Sequence, residues 1–361
     1  MNEENVFSAW IFRYKMTKGE NDYYFKNYML MKTKKWLFLV AMFATTVLTS
    51  CNSNKVREKM LPEISGAAGE VVLIIEDEVW KSSVDTLLNV LCEDVPGLPQ
   101  SEPMFDLVHI PNSAFSEIFQ RHRNIIDCNI VADSVSGIKV AYDIWAKPQT
   151  IVKITAPSVQ EFIKLILDNR DKLVGIILKA EQDRIIRNYS TFPDREVQAR
   201  LEKSCGINMT IPKGYTYDMD TNNFVWISHE TPEISQGIFV YYYDYTDTLA
   251  FTRDRLIATR NQMCKNYVGG PRDGSYMTTV MYEDVTTFRS YSLHGKYTAE
   301  LRGLWETKGD FMGGPFVSIS QYDEKRNRIV TVDGYVYAGK KDKRNYMRQV
   351  EAIMQTINFV E

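Results

Sequence analysis

The 361-residue chain lacks the short motifs that mark the common catalytic sites. It contains only four histidines, and no two of them stand in His-Glu-x-x-His or at another metal-binding helix spacing. Gly-x-Ser-x-Gly, the turn that holds the nucleophile of many serine hydrolases, is also absent. These absences favour a protein that binds or assembles something, and we expect neither a metal nor a cofactor.

An excess of positive charge is missing too. Lys and Arg total 43 against 46 Asp and Glu, which gives a formal net charge of −3. This balance disfavours nucleic acid and a polybasic membrane surface as partners. The segment "GYVYAGKK" (334–341) comes near a phosphate-binding loop, but it lacks the final Ser or Thr and its interior is typical of a strand.

Cysteine is sparse, with five in the chain, and Cys-x-x-Cys does not occur, so a thiol-redox role has no support. One of the five, Cys51, stands apart near the start of the chain. An even number remains after it, which permits disulfides, whereas wide spacing and apolar surroundings favour buried free thiols. Those four residues are Cys92, Cys128, Cys205 and Cys264.

The surroundings of Cys51 form the most specific pattern in the sequence. Three lysines precede an apolar run at 36–47, which is too short to span a membrane. Leu48-Thr49-Ser50-Cys51 follows, which is the order of a lipobox. The pattern predicts a lipoprotein signal peptide over 31–50 and acyl chains on Cys51 that hold the protein at a membrane. An ordinary signal peptide or a short buried helix with an incidental cysteine is the alternative.

Residues 1–30 precede this signal and carry mixed charges and many aromatics without a targeting pattern. A signal peptide begins at the N-terminus, so we interpret 1–30 as an over-long start, with Met31 as the true initiator. A genuine cytoplasmic extension is the alternative.

The rest of the chain predicts a tether and two α+β domains. Residues 51–69 are polar, contain Pro62 and end in small residues, as a tether would. Residues 70–205 alternate apolar strands with amphipathic helices, including a helix from Asn112 through Phe119, and predict a mixed α/β sheet. Residues 206–361 are rich in strands with a helix at 249–267 and another at 343–357, and predict a curved antiparallel sheet with flanking helices.

Two helix boundaries are marked by specific residues. Ser158 and Glu161 form a capping box, and Gly206 is a plausible helix stop.

Several segments together resemble a family of uncharacterised lipoproteins of the Bacteroides group, domain of unknown function 4837. They are the lipobox, "GEVVLIIED", "GLPQSEPMF", "RHRNII", "IPKGYTYD", "RGLWETKGDFMGGPFVS" and "KKDKRNYMRQVEAIMQTI". The resemblance extends over the chain that follows the signal peptide and implies a Gram-negative envelope lipoprotein without an assigned activity. The second half also weakly resembles the PsbP/Mog1 type of sandwich.

The resemblance also bears on orientation. In this bacterial group an acidic run just after the lipid cysteine accompanies surface export. "NSNKVREK" (52–59) has no such run. The resemblance therefore implies an outer-membrane protein that faces the periplasm.

Two surfaces are candidate ligand sites. Arg121, His122, Arg123 and Asn124 form the densest polar cluster of the first domain and could grip an acidic group, or they could be a basic helix end. In the second domain, two glycine-rich loops at 268–275 and 309–316 could approach a ligand, or could simply be hairpin turns. The residues that adjoin the second loop are Trp305, Glu306, Asp310 and Phe311.

Three Asp-Ser/Thr-apolar triplets are candidate O-glycosylation sites, because the bacterial group implied by the resemblance glycosylates such triplets. We expect the order Ser134, Thr248, Thr86, since Ser134 falls in a predicted hairpin turn. Asp and Thr also favour turns and helix starts for purely structural reasons.

The sequence therefore predicts a lipid-anchored envelope protein that acts as a non-catalytic binding or assembly module, with the membrane, other envelope proteins and glycans as partners. The alternative is an envelope glycan-acting hydrolase with a carboxylate pair that sequence cannot bring together.

Overall fold

The computed structural model describes residues 61–221, 223–282 and 285–360. The predicted over-long start, signal peptide and Cys51 lie outside these ranges, as do residues 52–60 of the predicted tether. Pro62–Glu361 form one compact unit. No helix within the described ranges is long and apolar enough to cross a membrane.

The first half is built on a five-stranded sheet with the strand order β2-β1-β3-β5-β4. Four strands run parallel, and β4 pairs antiparallel with β5 at the edge. The strands are β1 (Glu70–Ile74), β2 (Asp106–Ile110), β3 (Asn124–Ile130), β4 (Gly137–Tyr142) and β5 (Thr150–Ala156).

Helices cover one face of this sheet, and irregular chain covers the other. The helices of the first half are α1 (Asp77–Leu91), α2 (Glu117–Gln120), α3 (Val159–Asp168) and α4 (Arg170–Thr191). Leu87, Phe162 and Ile177 bring α1, α3 and α4 onto one core. The opposite face packs against Phe115, Phe119 and Trp145. Because both faces are covered, strand β1 in the interior of the sheet is a nearly continuous apolar run.

Two sequence signals at helix ends are confirmed, Ser158 as an N-cap and Gly206 as a helix stop. The Ser158 hydroxyl accepts a hydrogen bond from the backbone N–H of Glu161 at 3.3 Å. Gly206 ends the helix Arg195–Cys205 (α5) with φ of 64°, a left-handed conformation that glycine adopts readily.

Two predictions about the first half are wrong in detail. The chain from Asn112 forms a 3₁₀ turn and the four-residue α2 rather than one helix, because Phe115 is extended and turns its ring against Trp145. Strand β5 was not predicted, although it lies in the interior of the sheet; exposed Lys153 interrupts its apolar run.

The second half is an eight-stranded antiparallel sheet in the order β10-β12-β13-β14-β9-β8-β7, with β11 also paired to β12. This curved sheet with flanking helices confirms the predicted fold class. A two-stranded pair, β6 (Ile207–Asn208) with β15 (Asn358–Phe359), lies beside it. The eight strands are β7 (Thr216–Asp220), β8 (Phe224–Glu230), β9 (Ser235–Asp244), β10 (Tyr276–Thr279), β11 (Thr287–Leu293), β12 (Lys296–Lys308), β13 (Gly313–Asp323) and β14 (Arg328–Tyr337).

Each face of this sheet carries its own core, since side chains alternate along a strand. Helix α6 (Arg253–Tyr267) packs on a largely aromatic face that includes Phe316. Helices α5 and α7 (Arg344–Met354) pack on the other, aliphatic face. Leu201 of α5 belongs to that aliphatic core. The packing of the second half therefore begins before the predicted boundary at Gly206.

The predicted tether also ends earlier than expected. The Pro62 carbonyl accepts from the backbone N–H of Lys147 at 2.9 Å. Ser65 bonds through its backbone to Arg121 at 2.8 Å and to Arg123 at 3.0 Å. Residues from Pro62 onward are therefore part of the folded body rather than of a tether that runs to Gly69.

Candidate functional site

A loop of the first half holds the second half in place. Both carboxylate oxygens of Glu102 accept backbone hydrogen bonds at 2.7 Å, one from Lys343 and one from Arg344, at the start of α7. The Arg344 guanidinium pairs with Asp106 on β2. These contacts place α7 against α4 and β2, and they define the wall of a cleft between the halves.

This interlobe cleft has a volume of about 530 Å³, within the range of small-molecule sites. It is lined by α4, β11, β12, α7 and the loop at 95–104. Its polar lining is Lys179, Glu181, Gln182, Arg289, Tyr291, Glu300, Arg302, Arg344, Arg348, Glu351 and Gln355, and its apolar lining includes Met104, Leu178, Phe288 and Met347.

A chain of four alternating charges runs across the cleft from β11 to α7. Arg289 binds Glu300 through two hydrogen bonds of 2.8 and 2.9 Å. Arg302 lies 3.8 Å from Glu300 and binds Glu351 through two hydrogen bonds of 2.8 Å. Burial by itself would lower the pKa of Arg302, but the carboxylates of Glu351 and Glu300 outweigh burial and raise it. Both glutamates in this row of charges, Glu300 and Glu351, therefore accept hydrogen bonds from guanidinium groups.

Arg348 adds a cation that has no carboxylate partner within the described residues. Its Nη2 donates to the Met104 carbonyl at 2.6 Å, and its buried Nη1 has no hydrogen-bond partner. Burial, together with repulsion from Arg344, lowers the pKa of Arg348 to about 10. The guanidinium remains charged at neutral pH, so an anion in the cleft would be attracted to it.

Neutral groups complete the lining. The Tyr291 hydroxyl accepts from Gln355 at 2.9 Å, and burial raises the pKa of Tyr291 to about 12. Phe288 leaves 38% of its surface exposed at the cleft. An aromatic ring beside amide, hydroxyl and charged groups suits a ligand that has both a ring face and many polar atoms.

The predicted cluster at 121–124 is instead part of the interior. His122 is buried, with Nδ1 3.1 Å from the Asn124 carbonyl and Nε2 3.4 Å from the Glu70 carboxylate. Exposed Arg121 donates to the Glu63 carbonyl at 3.1 Å. The cluster therefore joins residues 63–70 to β3. Arg121 caps the C-terminus of the short helix α2, which agrees with the alternative of a basic helix end rather than with an open ligand site.

Arg123 and Asn124 converge on a buried carboxylate of α4. Glu181 accepts from Arg123 at 2.8 Å, from Asn124 at 2.6 Å and from Arg184 at 2.9 Å. Burial lowers the pKa of Arg184 to about 10, with the charge of Glu181 opposing the decrease. This network satisfies buried charges and fixes α4 on the sheet.

The second predicted surface is brought together by the fold. Arg272 of the first glycine loop lies 3.8 Å from Asp310 and over the Phe311 ring at 5.5 Å. Phe311 is 92% exposed, whereas Trp305 is 2% exposed and packs beside Tyr335 in the aromatic core. Of the candidates here, exposed Phe311 and Glu306 are available to a partner. Asp310 is mostly buried and bonds to the Phe311 N–H, and Trp305 is a core residue.

The three glycosylation candidates differ in access. The Ser134 hydroxyl is buried without a partner, and Thr86 is half-buried in α1. Thr248 is exposed at the start of a 3₁₀ turn capped by Asp247. The structure thus presents Thr248 best, and glycosylation at any of the three stays a prediction.

The cleft itself was not predicted from sequence. Its charges come from strands β11 and β12 and from α4 and α7, so no short motif contains them. The sequence signal that could have found these charges is the spacing of Glu300 and Arg302. They stand two residues apart on a predicted strand, and this spacing places two opposite charges on one face. No group of three or more His, Cys, Asp or Glu in the described part of the chain is placed to hold a metal ion.

The four cysteines within the described residues are free: Cys128, Cys205 and Cys264 are buried, and Cys92 is partly exposed. Of the two possibilities left open by the sequence, the structure thus contains free thiols.

Comparison with solved structures gives only a weak likeness. The chain is similar to the Ran-binding protein Mog1p of Saccharomyces cerevisiae, with 8% identity and a TM-score of 0.29 over 43% of this chain and 91% of that one. A point mutant of protein Mog1 is also 8% identical, with a TM-score of 0.29 over 43% of this chain and 92% of that one.

Comparison with protein families divides the chain in two. Residues 65–190 match the domain of unknown function 8532 (DUF8532), a family distinct from the one that the sequence motifs suggested for this half. No curated protein matches the chain. Residues 194–356 match the domain of unknown function 4837 (DUF4837). The match over residues 194–356 is to the family that the sequence motifs predicted, and it covers the second half of the chain only.

Proposed function

We propose that this protein is a lipid-anchored binding module of a Gram-negative cell envelope, held in the outer membrane by acyl chains on Cys51 and facing the periplasm. The lipobox order of basic, apolar and small residues before Cys51 supports the anchor. The lack of an acidic run after Cys51 supports the periplasmic orientation.

The anchor is tested by Cys51→Ala in the native host. We expect the protein to leave the membrane fraction and to accumulate as an unprocessed precursor. Ser50→Ala, which keeps a small residue before the cysteine, is the matched control and retains processing. Unchanged membrane association of the Cys51→Ala protein would contradict the anchor.

The interlobe cleft is the ligand site of this module. The observation that carries the proposal is an opening of about 530 Å³ between the halves in which cations outnumber carboxylates. Arg348 lines the opening and has no carboxylate within ion-pair distance among the described residues, and more distant Glu181, Glu351 and Asp106 offset only part of its charge. This cation makes an anionic ligand electrostatically favourable.

The ligand class that fits best is an acidic carbohydrate, such as a uronic-acid unit of an envelope glycan. Phe288 offers a face for a sugar ring, and the planar Arg289–Glu300 pair and Gln182 offer hydrogen bonds to its hydroxyls. The carboxylate of the sugar would face Arg348.

A glycan hydrolase fits the cleft less well. A glycosidase needs one carboxyl group that can hold and donate a proton. The three glutamates that line the cleft are each bound by guanidinium groups, Glu181 by two of them. Their oxygens are already engaged by these hydrogen bonds, so the geometry supports binding rather than acid catalysis.

Calorimetry with glucuronate and glucose tests the site, since the two probes share a ring and differ in charge. We expect glucuronate to bind and glucose to bind at least about tenfold more weakly, equivalent to roughly 1.4 kcal/mol. Phe288→Ala, at the cleft, should weaken glucuronate binding by a similar factor.

Phe311→Ala is the matched control, because Phe311 is an exposed aromatic on the other candidate surface. We expect it to leave binding unchanged. Loss of binding in Phe311→Ala with full binding in Phe288→Ala would place the site at the glycine loops instead. Equal binding of the two sugars would refute the acidic ligand.

A further inference from the structure

The folded body begins at Pro62, which lies between the loops that precede β3 and β5, at one end of the first sheet. The Pro62 carbonyl accepts from Lys147, and the Glu63 carbonyl accepts from the Arg121 side chain. These loops lead into the amino ends of β3 and β5, where Asn124 pairs with Thr150. The chain therefore enters the body at a defined edge of the molecule.

Two large apolar side chains are exposed beside these loops. Ile118 on α2 is 79% exposed and Ile144 is 50% exposed. The two segments are held to each other by an edge-to-face contact of Phe115 and Trp145, with ring centroids 5.4 Å apart. We name the surface formed by Ile118 and Ile144 the entry face.

The charges around the entry face nearly cancel. Arg121 bonds to a backbone carbonyl, and Lys147 lies 3.8 Å from Asp143. Glu63 and Glu117 are exposed nearby. The surface is thus not a polybasic patch, and any attraction to a lipid surface depends on its apolar side chains.

The length of chain before the entry face limits its distance from a membrane. Ten residues, 52–61, separate Cys51 from Pro62. At about 3.3–3.6 Å per residue they reach at most roughly 36 Å. An acylated Cys51 therefore keeps the entry side of the body close to the bilayer, while no such limit acts on the far end of β3.

We propose that the entry face rests on the surface of the bilayer, with Ile118 and Ile144 in the lipid headgroup region. This inference rests on the proposed acylation of Cys51. The short tether keeps these side chains near the lipid, and their contact with it then fixes how the rest of the body is presented to the periplasm.

The experiment uses the full acylated protein in phosphatidylcholine vesicles, with an environment-sensitive fluorophore on a single introduced thiol. The Cys92→Ser background removes the one partly exposed native thiol among the described residues. Ile118→Cys reports on the entry face. Val135→Cys is the matched control, because Val135 is 88% exposed in the turn after β3, at the opposite end of the same sheet.

We expect the label at 118 to shift its emission to the blue on vesicle binding and to be quenched by brominated lipid, and the label at 135 to do neither. Because the charges nearly cancel, adding anionic lipid should change the signal at 118 little. Quenching should fall when Ile144→Ser is added, while flotation with the vesicles is retained.

The outcomes separate this inference from the anchor. A parent protein that fails to float with vesicles overturns the anchor and the orientation together. A protein that floats but shows no quenching at 118, or equal quenching at 118 and 135, overturns the orientation alone. A blue shift at 118 that appears without vesicles and grows with protein concentration would assign the face to a second copy of the chain.

Discussion

Glu102 of the first half caps the helix that begins at Arg344 of the second. Its two carboxylate oxygens accept from the backbone N–H groups of Lys343 and Arg344, each at 2.7 Å. A carboxylate at a helix N-terminus satisfies free donors and interacts favourably with the helix dipole. The sequence separation of these residues makes Glu102 a specific link between the two halves.

Removing this link should destabilise the whole described unit. We expect Glu102→Ala to lower the free energy of unfolding by about 2 kcal/mol, because it leaves two buried donors without an acceptor. Urea denaturation measures the effect. Glu93→Ala, a half-exposed glutamate that pairs with Arg170, is the control and should change stability by less than about 0.5 kcal/mol. A loss of similar size in both variants would mean that Glu102 is not a special contact.

A second buried pair fixes α6 to its sheet. Arg260 and Asp333 are both fully buried, with Nε to Oδ2 at 2.8 Å, and the guanidinium stacks on Phe316 at 3.7 Å. Asp333→Ala leaves an unpaired buried cation, so we expect a loss of about 3–5 kcal/mol. Thermal or urea unfolding checks this. Asp254→Ala, exposed on the same helix, should be near neutral, and an equally mild Asp333→Ala would contradict the assignment.

The apolar pair Arg260→Met with Asp333→Leu should recover much of the stability, because no charge is then left buried. A double variant as unstable as Asp333→Ala would show that the shape of the pair, rather than its charge, is what the core requires.

Thiol reactivity should follow burial. Burial raises the pKa of the Cys205 and Cys264 thiols to about 12, and it raises the pKa of Cys128 as well. The thiolate is the reactive form. We therefore expect iodoacetamide at pH 8 to modify Cys92 in the folded protein well before these three, as peptide mass mapping would show. Denatured protein, in which all four react alike, is the control; early labelling of Cys264 in the folded state would contradict the buried core.

The same shifts predict a loss of stability in alkali. The folded-state pKa of each buried thiol lies above its unfolded value, so each thiol stabilises the fold fully below the unfolded pKa near 8.5. The contribution decreases as pH rises from there toward about 12. Urea midpoints measured from pH 7 to pH 10 should fall, and a Cys205→Ala, Cys264→Ala variant should show a shallower fall.

Two strand glycines should respond oppositely to substitution. A Cβ on Gly237 would lie 2.1 Å from the ring of buried Tyr335, whereas a Cβ on Gly137 would meet nothing within 4 Å. We expect Gly237→Ala to cost about 1–3 kcal/mol of stability through overpacking. Gly137→Ala should be neutral or slightly stabilising. Melting temperatures of the two variants check this, and equal melting temperatures would contradict the close approach of Tyr335.

Some features of this protein follow from sequence alone because they depend on local physics. Ser158 caps α3 and Gly206 ends α5 through contacts within a few residues, so their sequence is sufficient. The strands of the second half were recognised because they are runs rich in β-branched and aromatic residues separated by turn residues. The family of residues 194–356 was likewise carried by contiguous motifs.

Other features were decided only by the tertiary structure, because they depend on contacts between residues that are far apart in sequence. The sequence placed His122 in a polar cluster that could face a ligand. In the fold, Gly66 and Glu70 lie against His122, and its side chain is buried. Glu351 meets Arg302 only after α7 packs on the sheet. The candidate cleft is made of such distant pairs, whose energy arises from burial and charge pairing that no local pattern contains.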